Sequence, residues 1–260
     1  EIQAAYTKGN ERLHMCYGFD FLSNPYPSGT RIAEVLQNFQ DRAADSWACW
    51  AFSNHDVQRH TSRWNMGPKA HRAYAALLMS LRGTACLYQG EELGLTEAYV
   101  PYEDLQDPYG KRFWPKFKGR DGCRTPMPWS HDQLHGGFSD GKPWLPVAME
   151  HVETAVEVQD QDASSMLNFY RALIAFRREH PVLWKGSYAP VEADDTFLSF
   201  MREHGNVRLF CAFNLSDEPR TFELPEGVWQ VAEGAPFEAT KEDTTITLPA
   251  WQAIYAFAGE

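Results

Sequence analysis

Short apolar runs alternate with helical patterns over the first part of the chain. The runs lie at residues 13–21, 46–52 and 84–93, and each ends in polar or ionisable side chains. Between them, residues 31–39 and 67–83 repeat apolar positions at the spacing of an amphipathic helix. Strands that alternate with helices in this way predict a parallel sheet with helical crossovers, which is an α/β fold.

The pattern changes twice further along the chain. Residues 96–162 have no regular period and are rich in Pro, Gly and aromatic residues. Irregular segments of this length in compact domains commonly carry function. A helix is expected at residues 164–180, because Ser residues open it and Pro181 stops it.

After Trp184 the helical period disappears, and short alternating runs are separated by turn residues. These runs predict an antiparallel β-sandwich. The predicted strands lie at residues 196–203, 207–216, 220–224, 228–234, 244–249 and 253–259. We therefore expect two domains, residues 1–183 and residues 184–260.

Composition narrows the partners that the chain can have. Its 260 residues are 43% hydrophobic, enough to bury a sizeable core. With 24 Lys and Arg against 35 Asp and Glu, the formal net charge is -11, which disfavours nucleic acid and anionic lipid as partners. No run approaches the roughly 20 apolar residues of a membrane span, so no membrane partner is expected.

Cysteine spacing and aromatic content add two expectations. The five Cys are far apart and have no metal-ligand spacing, which favours reduced thiols in a cytoplasmic protein. No metal or other cofactor is expected on this chain, and the metal requirement of the whole enzyme stays open. Aromatic residues make up 14% of the chain. Their faces stack on sugar rings, although large cores use the same residues.

Ionisable groups follow all three predicted strands of the parallel sheet. Asp20 follows the first, residues 54–59 follow the second, and Glu91 and Glu92 follow the third. Since sites in such sheets lie at the carboxyl ends of the strands, this convergence predicts a site. Each group alone also has a structural explanation, such as an Asx turn or a favourable charge at a helix N-terminus. Carboxylates beside an imidazole and a guanidinium suit a polyhydroxy ligand and an oxocarbenium-like transition state.

Three motifs are specific enough to identify a family. "FSNHDVQR" (52–59) resembles the fourth signature region of the α-amylase family, glycoside hydrolase family 13. "GTACLYQGEELGL" (83–95) is similar to that family's eighth strand, with Ala85 where Pro is usual. "GRDGCRTPMPW" (119–129) resembles a segment of its bacterial α-glucosidases and oligo-1,6-glucosidases.

The resemblance implies a role for each matching residue. Asp56 would be the third carboxylate, which binds sugar hydroxyls and stabilises the transition state. His55 would donate a hydrogen bond to the same ring, and Asn54 belongs to the same binding set. Arg124 would bind the non-reducing-end glucose of an α-glucoside or oligosaccharide, with a structural arginine as the alternative. Arg59 would support the loop or the aglycone side.

The resemblance also implies a division of the active site. The fold would be the C-terminal part, strands 6 to 8, of a (β/α)8 TIM barrel followed by an all-β antiparallel sandwich domain. A retaining glycosidase needs a nucleophile and an acid about 5 Å apart, and the segments that supply them in the family are not in this sequence. We expect them to precede Glu1, in an N-terminal half that partners this one. The chain alone would then be inactive and could oligomerise through an exposed barrel edge.

Two other functions remain open. One is a non-catalytic amylase-like binding or scaffold protein, although keeping Asn54, His55, Asp56 and Arg124 together disfavours it. The other is a transglycosylating relative, such as a trehalose or isomaltulose synthase, whose motif around residue 55 would look much the same. The bond cleaved, α-1,4 or α-1,6, also stays open.

Overall fold

A computed structural model describes residues 2–23, 27–237 and 239–259; Glu1, where the predicted sixth-strand segment begins, lies outside them. The α-helices are α1 (Ile2–Thr7), α2 (Gly29–Ala43), α3 (His60–Arg63), α4 (Pro68–Ser80), α5 (Pro108–Phe113), α6 (Met149–Val152), α7 (Val156–Gln161), α8 (Met166–Glu179) and α9 (Pro181–Lys185). Short 3-10 helices lie at Lys8–Asn10, Glu91–Leu93, Tyr102–Asp104, Asp121–Cys123 and Leu134–Gly137. The strands are β1 (Cys16–Gly18), β2 (Ala48–Trp50), β3 (Thr84–Ala85), β4 (Ala189–Ala193), β5 (Phe197–His204), β6 (Val207–Asn214), β7 (Arg220–Glu223), β8 (Trp229–Val231), β9 (Thr240–Glu242), β10 (Thr245–Leu248) and β11 (Ala253–Ala258).

The chain divides into two compact units. The first unit comprises Glu1–Ala51, Pro68–Cys86 and Arg171–Glu260. The second comprises Phe52–Gly67 and Leu87–Tyr170. This division follows spatial contacts and does not test the domain boundary after residue 183, which stays a prediction.

The first unit contains the predicted parallel sheet, in the order β1-β2-β3. The crossover helices are α2 and α4, as the apolar spacing predicts. Ser28 caps α2, because its Oγ accepts a hydrogen bond from the Arg31 backbone N–H at 3.3 Å. The strands are shorter than the apolar runs, so the polar residues after them lie in loops.

Gly83 lies just after α4, where the Trp50 ring approaches the backbone. Its φ is +144°, and a Cβ there would lie 2.8 Å from the Trp50 indole. The indole N–H in turn donates to the Arg82 carbonyl at 2.9 Å. A residue without a side chain is therefore required for the close approach of Trp50.

The C-terminal part of the first unit is the predicted antiparallel sandwich. One sheet has the order β4-β5-β6-β11-β8 and the other β7-β10-β9. Their inner faces bury a shared apolar core that includes Phe197, Phe210, Phe222, Trp229 and Ile246. All six predicted strands are present, and β4 and β9 are two more that the pattern did not indicate.

Buried hydrogen bonds tie the sandwich to α4 within the first unit. The fully buried Arg202 guanidinium donates to the carbonyls of Ser80, Gly186 and Ser187. The Tyr255 hydroxyl donates to the Ala76 carbonyl at 2.8 Å. Because Ser80 is the last residue of α4, its carbonyl has no partner within the helix, and the Arg202 guanidinium supplies one.

The second unit is largely irregular and has small apolar clusters, such as that of Leu93, Leu95 and Leu167. Polar side chains that bond to the backbone supply much of its order. The Gln159 amide N–H donates to the carbonyls of Leu93 and Thr154, at 2.8 and 3.0 Å, and its oxygen accepts from the Leu167 N–H. Such bonds replace the ladders that regular elements would provide. None of the helices in the described part of the chain combines the length and apolarity that a membrane crossing requires.

Candidate active site

The loop after β2 closes on itself through two polar side chains of the second unit. The Asn54 Oδ1 accepts a hydrogen bond from the Asp56 N–H at 2.8 Å, which is an Asx turn. The buried Ser53 hydroxyl accepts from the His60 N–H at 2.8 Å and lies 2.9 Å from the His60 ring. The turn that sequence allowed as an alternative therefore exists, and it also fixes the backbone of Asp56.

Three cationic or potentially cationic side chains surround the carboxylate of Asp56. Its Oδ1 accepts from Arg120 Nη1 at 2.8 Å and from Arg124 Nη2 at 3.2 Å. Its Oδ2 lies 3.4 Å from His55 Nε2. The Asp56 side chain is nonetheless 49% exposed. It is thus an oriented carboxylate that solvent or a ligand can reach.

Arg124 joins both sides of the Asx turn. Its Nε donates to the His55 carbonyl at 2.7 Å, while its Nη2 reaches Asp56. Its side chain is 20% exposed and borders a cavity of about 420 Å³, whose walls include Glu92, Trp129 and Trp144. Four of the five predicted site residues, Asn54, His55, Asp56 and Arg124, therefore lie within one hydrogen-bonded group.

Arg59 lies away from that group, in the interior of the second unit. It is 1% exposed, donates from Nη1 to the Gln89 carbonyl at 2.8 Å, and lies over the Tyr88 ring. Its N–H donates to Glu97 Oε2 at 3.2 Å. Burial raises the pKa of Glu97 to about 7. Arg59 thus contacts the loop at residues 88–89 and has no exposed surface toward a ligand.

The two glutamates after β3 have different surroundings. Glu92 Oε2 accepts from the Gly90 N–H at 2.8 Å. Glu91 is 1% exposed and lies 3.8 Å from the His60 ring. Burial raises the pKa of Glu91 to about 8, so this carboxyl is mostly protonated at neutral pH. Asp20, the ionisable residue that follows the first predicted strand, is exposed in the turn after β1.

Arg120 and Asp107 complete the group, and sequence reasoning did not identify either. Asp107 accepts from Arg120 Nε at 2.9 Å and Nη2 at 3.1 Å, and the Arg120 hydrogen bond lowers the pKa of Asp107 to about 2. The same pairing raises the pKa of Arg120. Both residues lie in the stretch 107–129 that carries the third family motif. Their pairing has no local signal, because thirteen positions separate them.

A cavity of about 570 Å³ borders the Asp56 carboxylate, and Arg63, Glu97, Phe117 and Arg120 contribute to its walls. An exposed carboxylate held by guanidinium groups can accept hydrogen bonds from ligand hydroxyls and can stabilise nearby positive charge. Within the described residues, no group of three or more His, Cys, Asp and Glu side chains is placed to hold a metal ion.

Comparisons with known proteins give the chain's relationships. Residues 1–186 match the family described as Alpha amylase, catalytic domain. Residues 189–254 match the Maltogenic Amylase, C-terminal domain. A protein of Rhizobium meliloti (strain 1021) named "Probable alpha-glucosidase" is 52% identical over 260 residues, covering 98% of this chain and 47% of that protein. The Oligo-1,6-glucosidase of Heyndrickxia coagulans is 30% identical, covering 98% of this chain and 52% of that protein.

A solved structure shows the same architecture. The crystal structure of the alpha-glucosyl transfer enzyme XgtA matches with a TM-score of 0.91 and 44% identity, covering 99% of this chain and 48% of that one. The chain thus spans about half the length of the relatives it matches. The expected fold, part of a (β/α)8 barrel followed by an antiparallel β-domain, is confirmed. The chain belongs to the α-amylase family, glycoside hydrolase family 13.

Proposed function

We propose that this chain supplies one wall of the active site of a retaining α-glucosidase that releases glucose from α-glucosides or short malto- or isomalto-oligosaccharides. The observation that carries the proposal is the Asp56 carboxylate. It is half exposed beside a cavity, and Arg120, Arg124 and His55 hold it. The relatives named α-glucosidase and oligo-1,6-glucosidase support the same substrate class.

The geometry suggests how these residues would act. Asp56 Oδ1 accepts from two guanidinium donors, whereas Oδ2 lies 3.4 Å from the His55 ring. Oδ2 would accept from two vicinal hydroxyls of the glucose ring, and the carboxylate would stabilise the positive charge that develops at the anomeric carbon. His55, 67% exposed, would donate to the same ring. Arg124, which bonds both His55 and Asp56, would bind the non-reducing-end glucose.

The nucleophile and the general acid would come from the rest of the full-length protein. A glycosidase needs two reacting carboxyl groups as well as the carboxylate proposed for Asp56. We therefore propose that the 260-residue chain alone is inactive, and that its partner is the N-terminal half of the same enzyme. Arg59, which contacts Gln89 and Tyr88, would act on the loop rather than on the sugar.

Turnover of p-nitrophenyl α-glucoside tests this proposal. We expect turnover by the full-length protein and none by the 260-residue chain. In the full-length protein, Asp56→Asn should lower kcat by about 100-fold or more. Asp132→Asn is the matched control, because its side chain is 91% exposed and pairs with His131, which is not part of the group around Asp56. Full activity of the Asp56→Asn variant would overturn the assignment.

Transglycosylation is the second candidate, because XgtA, whose structure is 44% identical to this chain, is an alpha-glucosyl transfer enzyme. The same group at Asp56 would serve both reactions, which differ in whether water or a sugar hydroxyl attacks the glucosyl intermediate. Product analysis with maltose separates them. Free glucose as the only product indicates hydrolysis, whereas new disaccharides or trisaccharides indicate transfer. If neither kind of product forms, the scaffold alternative is supported.

A further inference from the structure

The Arg120 guanidinium divides its donors between two carboxylates. Its Nε and Nη2 edge pairs with Asp107, at 2.9 and 3.1 Å, while Nη1 donates to Asp56 at 2.8 Å. Because a guanidinium is planar and rigid, fixing one edge also fixes the direction in which the remaining nitrogen points. The orientation of Nη1 toward Asp56 is therefore set by Asp107.

Asp107 is itself held from several sides. Its side chain is fully buried. Its Oδ1 accepts from the Tyr109 N–H at 3.1 Å, which caps α5, and its Oδ2 accepts from the Arg120 N–H at 2.9 Å. Its own N–H donates at 2.8 Å to the buried carboxylate of Asp121. The carboxylate that anchors Arg120 is therefore rigid.

The backbone geometry around this pair leaves little freedom. Gly119 has φ +82°, and a Cβ there would lie 2.8 Å from the Gly110 Cα and 3.1 Å from Asp107 Oδ2. Gly110 in α5 and Gly119 after it let the two stretches of backbone approach closely enough for Arg120 to reach Asp107.

If Asp107 only stabilised its own loop, Arg120 would not need to reach Asp56, which is 64 positions away in the chain. An ion pair between partly exposed side chains usually contributes little stability, because ordering both side chains costs entropy. Here the ordering of Arg120 is already supplied by its buried partner. Arg124 adds a longer bond to Asp56, at 3.2 Å against 2.8 Å for Arg120, and its own anchor is the His55 carbonyl rather than a buried carboxylate.

We infer that Asp107 is a positioning residue, which holds Arg120 so that Nη1 fixes the Asp56 carboxylate for the sugar hydroxyls. The inference rests on the proposed function of Asp56. It adds a specific dependence, namely that a fully buried carboxylate with no access to substrate controls the chemistry through one guanidinium.

The first test compares Asp107→Asn, Arg120→Lys and the double variant in the full-length protein, with p-nitrophenyl α-glucoside. Each single variant should lower kcat/KM about 10-fold to 100-fold, mainly through kcat, because a misplaced Asp56 loses interactions made in the transition state. The double variant should lie within about twofold of the poorer single variant, since both changes break one path. Arg112→Lys is the control, because Arg112 lies over the Phe113 ring in the same segment and should leave both constants unchanged.

If Asp107 only stabilises its own loop, the Asp107→Asn variant should have a lower melting temperature, while kcat/KM of the folded protein stays at the wild-type value. That result, or losses that multiply in the double variant, would overturn the inference. A second test is independent of activity: crystal structures of the full-length wild-type protein and of its Asp107→Asn variant. We expect the distance from Arg120 Nη1 to Asp56 Oδ1 to exceed 3.5 Å in the variant, about the limit of a hydrogen bond. A bond retained near its wild-type length would refute the inference, whereas an inactive wild-type enzyme would refute only the proposed function.

Discussion

Gly29 provides the sharpest test of how the first unit is packed. It begins α2, whose first N–H groups donate to the turn between β4 and β5. The Thr30 N–H donates to the Asp194 carbonyl at 2.9 Å, and the Gly29 N–H donates to the Asp195 carbonyl at 3.3 Å. A Cβ at Gly29 would overlap the carbonyl oxygens of Asp194 and Phe197 and lie 2.8 Å from the Phe197 carbonyl carbon. These are backbone atoms, so no side chain can rotate away.

Gly29→Ala should therefore destabilise the chain. Carbon atoms pack at about 3.5 to 4 Å, so the helix or the turn must move by more than half an ångström. Overpacking costs about 1 to 3 kcal/mol, and loss of the two hydrogen bonds adds about 1 kcal/mol each. The higher helix propensity of alanine returns at most about 1 kcal/mol. We expect a net loss of about 2 to 4 kcal/mol in the free energy of unfolding.

Urea unfolding of the 260-residue chain, followed by tryptophan fluorescence, measures this loss. The transition midpoint should fall while its slope stays unchanged. Gly67→Ala is the matched control, because Gly67 immediately precedes α4 and a Cβ there would meet nothing within 4 Å. If Gly29→Ala and Gly67→Ala unfold at the same urea concentration, the packing argument is refuted.

Two further predictions concern buried ionisable side chains. Arg202→Met should lower the free energy of unfolding by about 3 kcal/mol, because three carbonyls lose their donor. Arg208→Met is the control: Arg208 forms a half-exposed ion pair with Glu203, and its loss should cost less than about 1 kcal/mol in the same urea assay. Glu91, whose pKa burial raises to about 8, keeps its proton in the folded chain while the unfolded chain loses it above its ordinary value of 4.5. The free energy of unfolding should thus decline as pH rises from about 5 to 8, and Glu91→Gln should flatten that decline in urea titrations at each pH. An unchanged slope would show that Glu91 ionises normally.

Most of the fold could be predicted because its signal is local. Helix α4 buries nearly every residue, and the apolar spacing that buries them is visible in the sequence. The strand β4 was missed because all five of its residues are exposed, so no alternation marks it. Strand β9 was missed for the same reason. Edge strands pair through the backbone, and side-chain patterns carry no record of that pairing.

In the candidate site, too, the residues that are contiguous in sequence could be predicted, whereas their distant partners could not. The motif at residues 54–59 is contiguous, so its polar side chains could be identified together. The partners of Asp56 could not, because Arg120 reaches it only after the chain at Gly110 and Gly119 folds back on itself. Likewise, the burial of Arg59 follows from the packing of its loop against residues 88–89, which no local pattern specifies.

In the second unit, the bonds that stabilise the loop are also those that orient the site. The segment around α5 has little apolar core, so its backbone depends on the buried carboxylates of Asp107 and Asp121, which accept N–H groups at 2.6 to 3.1 Å. The same Asp107 carboxylate fixes Arg120, and Arg120 fixes Asp56. A substitution that loosens this loop should therefore also weaken the bond from Arg120 to the Asp56 carboxylate. Stability and site geometry should fall together here, whereas Gly29→Ala, in the first unit, should lower stability alone.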